Sequence, residues 1–77
     1  MTIQEFREHP EYALCMRKIT GYKTGFKFTL NWSEIPRAKA NALKIVIRDA
    51  MEQGLIENVA DGWSLEGQLV SETFRRC

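Results

Sequence analysis

Histidine and cysteine are nearly missing from this chain, and their scarcity removes most of the chemistry that a small protein can perform. There is one histidine, His9, and there are two cysteines, Cys15 and Cys77. General acid–base catalysis recruits histidine or carboxylates of tuned pKa, and a nucleophile needs a base within hydrogen-bond reach. His9 precedes Pro10, where a solvated residue closing a short surface helix is expected. Zinc needs about four Cys, His or carboxylate ligands, and positions 9, 15 and 77 have no paired spacing. The glycines at 21, 25, 54, 62 and 67 form neither a phosphate-cradling loop nor a dinucleotide fingerprint. Acidic pairs such as Glu5 and Glu8 on a short helix are expected to be solvated. The expectation is a protein that is not an enzyme and that carries no metal and no cofactor.

Long hydrophobic runs are also missing. The longest, Tyr12 to Met16, is far below the roughly 20 residues that a membrane helix needs. The N-terminal stretch mixes charged and apolar residues and has neither signal- nor transit-peptide character. Two cysteines are few for a small secreted fold, so a reducing, cytoplasmic setting is expected, with Cys15 in the core and Cys77 an exposed thiol. In that setting the sequon Asn31-Trp32-Ser33 has no meaning. A length of 77 residues, 44% of them apolar and 27% charged, fits one folded domain over 1–77 and not a disordered chain.

Periodicity supplies the elements. Thr2 and Glu5 form a capping-box pattern opening a short N-terminal helix that runs to His9-Pro10. Residues 12–19 are ambiguous: Tyr12, Cys15, Met16 and Ile19 fit a helical face, but the turn-like Gly21 to Gly25 beyond favours a strand. Phe26, Phe28, Leu30 and Trp32 alternate with Lys27, Thr29 and Asn31, as in a strand with one buried face. A hairpin through Tyr22 to Gly25 gives that strand a local partner. Ser33 as cap and Pro36 in the first turn open a long helix to Gln53, closed by Gly54. Its apolar stripe holds Ile35, Ala38, Ala42, Leu43, Val46, Ile47 and Ala50. The stretch from Leu55, with Trp63, Leu65, Leu69, Val70 and Phe74, reads as a second hairpin turning near Glu66-Gly67. The expected fold is therefore α+β: two hairpins in β-β-α-β-β order packed on one long helix in two layers. Trp32, Trp63, Phe26 and Phe28 are expected at the centre of the core.

Charge of one sign is missing from a whole third of the chain. Asp49 through Phe74 contains six acidic residues and no lysine or arginine, whereas Arg17 through Arg48 holds eight basic residues against Glu34 alone. At about 100° per residue, Arg37, Lys44 and Arg48 form a ridge opposite the apolar stripe. Lys27, Thr29 and Asn31 face away from the core, and Tyr22 is the aromatic most exposed in a turn. The expected contact surface is therefore Tyr22, Lys23, Lys27, Thr29, Asn31, Arg37, Lys44 and Arg48. One account makes the charge blocks mere neighbours, neutralised by cross-strand ion pairs between the two hairpins. Without chemistry, a small cytoplasmic chain works by contact, and the favoured function is an inhibitor or adaptor that docks on a larger protein. A nucleic-acid-binding regulator using the basic ridge is the second reading. A homodimer formed through unpaired sheet edges is the third.

Overall fold

The computed structural model describes residues 2–77. Helix α1 (Ile3–Arg7) and helix α2 (Pro10–Gly21) precede strand β1 (Lys27–Asn31). A single 3-10 turn (Trp32–Glu34) leads to helix α3 (Arg37–Glu52), and strands β2 (Ile56–Trp63) and β3 (Leu69–Arg76) follow. The sheet is antiparallel, with β3 between β1 and β2. The class is α+β as expected, but the β-β-α-β-β order is not formed: among the described residues there is one hairpin, β2–β3, and β1 pairs with β3.

Residues 12–19 account for the difference, because they are helix and not strand. His9 caps α2 through Nδ1, which accepts from the Glu11 amide at 3.1 Å, and Pro10 fills the first turn, where its missing N–H costs nothing. Tyr12, Cys15, Met16 and Ile19 then fall on one face, which packs on the core. No hairpin forms through Tyr22–Gly25. That segment instead makes a turn, with the Phe26 amide donating to the Lys23 carbonyl at 3.0 Å and Gly25 at φ 88°. The neighbour that β1 needs is β3, with Phe28 opposite Phe74 and Thr29 opposite Thr73.

The long helix begins later than its sequence suggests. Pro36 is its N-cap, and Ser33 lies in the 3-10 turn, where its hydroxyl donates to Asn31 Oδ1 at 2.7 Å. Its end is as expected: Gly54 takes φ 72°, its amide donates to Met51, and the Leu55 amide donates to Ala50. This pair of bonds satisfies the last carbonyls of the helix and turns the chain into β2. The N-terminal cap also holds, with the Glu5 amide donating to Thr2 Oγ1 at 3.1 Å.

Helices and one sheet face share one core. Phe74 and Val46 are fully enclosed, and Phe6, Ile19, Ile47, Ala50 and Ile56 surround them. Two expected members of the centre lie elsewhere: Phe26 is 47% exposed and Trp63 is 62% exposed. Trp32 is half-buried, its indole N–H donating to Glu72 at 3.0 Å. Ala38, expected on the buried stripe, is exposed, and Ala40 takes the buried position.

One buried charge ties the helices together. Asp49 of α3 accepts two hydrogen bonds from the Arg7 guanidinium, both 2.8 Å, and one from the Tyr12 hydroxyl at 2.7 Å. The Arg7 bonds hold the Asp49 carboxyl below its ordinary range, against the upward pull of burial. Burial, reinforced by the bond to Asp49, pushes the Tyr12 phenol up.

Phe74→Ala is expected to cost about 3–5 kcal/mol, the range for an enclosed aromatic. That is a large part of the roughly 4–12 kcal/mol expected for a domain of this size, and urea denaturation will measure it. Asp49→Asn is expected to cost less and to alter the pH profile. Because folding depresses the Asp49 pKa, its stabilisation is full above the unfolded aspartate value of about 4 and lost as pH falls through the folded value. Because folding raises the Tyr12 pKa, that stabilisation is full below about pH 10 and lost above it. Denaturation midpoints across pH are expected to show a shallower acid limb in Asp49→Asn and a shallower alkaline limb in Tyr12→Phe.

Candidate functional site

The β2–β3 hairpin projects because β1 is short. β1 stops at Asn31, opposite Ser71, so Leu69 of β3 and its partner Trp63 of β2 have no third strand beside them. The loop beyond is held by its own bonds: the Ser64 amide donates to the Gln68 carbonyl at 2.8 Å, and the Gly67 amide to the Ser64 carbonyl at 3.0 Å. Ser64 Oγ accepts from the Gln68 amide at 3.1 Å, and Gly67 supplies the positive φ of 82° that the turn requires. The result is a pinned tip that presents Trp63, Leu65 and Leu69 to solvent, Leu65 without cover. Single exposed apolar residues are ordinary, and tryptophan is among the residues enriched where binding energy concentrates.

The hairpin is acidic. Glu57, Asp61, Glu66 and Glu72 lie along it; Glu57 pairs with Arg75 on the outer sheet face, and Glu72 binds Trp32. Asp61 and Glu66 are exposed. Among the described residues, ion pairs join Arg7 to Asp49 and Arg75 to Glu57, and none joins the basic block 17–48 to the acidic block 49–74. Neutralisation between paired hairpins, one account of the charge division, is therefore not what the fold uses.

A second feature is a groove of about 410 Å³ between α2, β1 and α3. This is within the roughly 300–1,000 Å³ range of ligand pockets. Its floor is Cys15 and Ile19 of α2, Phe28 and Leu30 of β1, and Leu43 and Ile47 of α3. Helical spacing produces the walls: Cys15 and Ile19 are four apart, and so are Lys39, Leu43 and Ile47, which places each set on one face. Lys18, Lys39 and Glu34 rim it, all exposed.

The residues expected to form the contact surface separate into three places. Arg37, Lys44 and Arg48 are exposed along α3 as the helical period implied. Lys44 Nζ stands 5.4 Å from the Trp32 ring centre, and Lys44 and Arg48 border a depression of about 180 Å³ with Arg7 and Asp49. Lys27, Thr29 and Asn31 lie on the opposite sheet face, where Thr29 and Thr73 hydroxyls bond at 2.8 Å. Lys23 is exposed in the turn after α2. Tyr22 is not the exposed aromatic expected of it: it caps α2, stacks on Phe26 at 4.6 Å and lines the groove. Trp63 holds that exposed role, and its bulk, which suggested a core residue, concealed it.

Trp63 and Trp32 are expected to differ in acrylamide quenching, with the quenchable fluorescence lost in Trp63→Phe and kept in Trp32→Phe. Trp63→Ser is expected to change folding stability by less than about 0.5 kcal/mol, as for a surface position, in the same urea assay. No helix among the described residues is long and apolar enough to cross a membrane. The chain matches no protein-family model, no curated protein and no solved structure, so its own geometry carries the functional reading.

Proposed function

We propose that this is a non-enzymatic binding protein that acts by surface complementarity on a larger protein, in the manner of an inhibitor or adaptor. The observation that carries this reading is the pinned apolar tip, Trp63 with Leu65 and Leu69, held in solvent by a hairpin longer than the strand beside it. Tryptophan is enriched among residues that dominate binding energy, and a rigid presentation lowers the entropy lost on docking. The acidic residues around the tip favour a partner whose site has an apolar centre and a basic rim, since such complementarity steers encounter and fixes register. The two free cysteines, one half-buried and one exposed, suit a reducing, cytoplasmic setting.

A nucleic-acid reading draws on Arg37, Lys44 and Arg48, whose exposed row would neutralise phosphates. It is the weaker reading, because the projecting element is acidic and would be repelled by a backbone that the ridge attracts.

The test uses immobilised protein, a nuclease-treated lysate of its own source, and then the purified captured partner. Trp63→Ser is expected to weaken binding of that partner by at least about 30-fold, the scale of a contact hot spot, while Arg48→Glu leaves it near the wild-type value. Retention of nucleic acid alone, with affinity falling steeply as salt rises and lost in Arg48→Glu, would sink the protein-binding reading.

A further inference from the structure

We infer that the groove between α2, β1 and α3 is the receptor for the hairpin tip of a second copy of this chain, two chains joining reciprocally with Trp63 and Leu65 of each in the groove of the other. The inference rests on the proposed role of the tip as a contact surface and names one occupant for it.

Both halves of the contact are present on one chain. The tip offers an apolar indole and an isobutyl group flanked by Asp61 and Glu66. The groove offers an apolar floor and a rim on which Lys18 and Lys39 outnumber Glu34. Asp61 and Glu66 of the acidic block thus lie on the part that enters, and Lys18 and Lys39 of the basic block on the part that receives. The chain's own tip does not fill its own groove, since Trp63 is 62% exposed and Leu65 is bare.

Area and symmetry decide the form. A stable interface buries about 1,200–2,000 Å² in total, and one inserted tip, with an aromatic contributing about 150–250 Å² beside a leucine and the groove walls, falls short of that. Two insertions related by a two-fold axis double that area and leave no knob or hole open, whereas a single insertion would leave both ends free to grow a chain. In the closed pair the tip is covered, so a larger partner that needs Trp63 competes with the second copy.

Light scattering and sedimentation over a wide concentration range test this. Wild type is expected to show dimer mass at high concentration, dissociating on dilution. Trp63→Ser, and separately Lys18→Glu with Lys39→Glu, are each expected to raise the dimer dissociation constant by at least about 100-fold, as loss of a central contact does. Circular-dichroism melting unchanged from wild type at concentrations where wild type is monomeric will show that both variants fold. Adding Asp61→Lys and Glu66→Lys to the lysine-reversed chain is expected to restore the dimer by reversing the match. A monomer at every concentration, a dimer indifferent to these changes, growth beyond two chains, or no recovery in the charge-swapped chain overturns the inference. A monomer whose binding to a purified partner still falls with Trp63→Ser leaves the proposed function standing. A dimer whose partner binding ignores Trp63 removes that function and leaves the self-association.

Discussion

A carboxylate buried in the third helix must find donors, and Asp49 finds them on both helices that precede it. Its bonds to Arg7 and Tyr12 reach across 42 and 37 positions of sequence. Leaving that carboxylate without donors would cost far more than the bonds themselves return, so the arrangement is strongly specified even where its net stabilisation is modest. Tyr12 sets the rotation of α2, and the residues one and two turns further on, Cys15 and Ile19, are thereby aimed toward Leu43 and Ile47. The helix pairing that satisfies Asp49 thus brings together two of the groove's walls.

At the hairpin the controlling fact is a difference in strand length. β3 spans 8 residues and β1 spans 5, and the register places the unmatched part of β3 at the hairpin end. Had β1 continued past Asn31, its next residues would have covered the ladder beside Leu69. Instead the chain leaves the sheet in a 3-10 turn, and Trp32 swings back to donate to Glu72. That departure leaves the Leu69 side of β3 open, Trp63 lies on the edge strand β2, and the loop between them is pinned by its own hydrogen bonds.

Local signals carried much of this fold. The period of α3, its glycine terminator, the alternation in β1 and the turn before Leu69 all express rules that act over a few residues, and each can be read along the chain. The helix over 10–21 was harder, because its four inward residues suit a helix while the glycines beyond suggest a hairpin, and only the location of the partner of β1 decides between them. That partner lies 44 positions away, at Thr73, and no local pattern encodes it. Trp63 shows the same limit: its size argues for burial, but it falls at the end of β2, an edge strand, and strand order is a long-range property. The basic ridge on α3 was legible because helical period alone places it; the groove was not, because it needs three elements in their final positions.

An open sheet of three strands leaves two edges, and β2 is the longer of them. Unprotected edges invite pairing with another chain. On β2, however, Glu57 and Asp61 occupy the strand, and Asp61 already faces Glu72 across the ladder. A second β2 laid antiparallel along this edge would add its own Glu57 and Asp61 to those already there, and like charges on paired strands repel. Edge pairing is thus discouraged by the same acidic residues that suit the hairpin to a basic-rimmed groove. Side-chain insertion at the tip avoids that repulsion, and the groove it would enter carries Lys18 and Lys39 on the rim of an apolar floor.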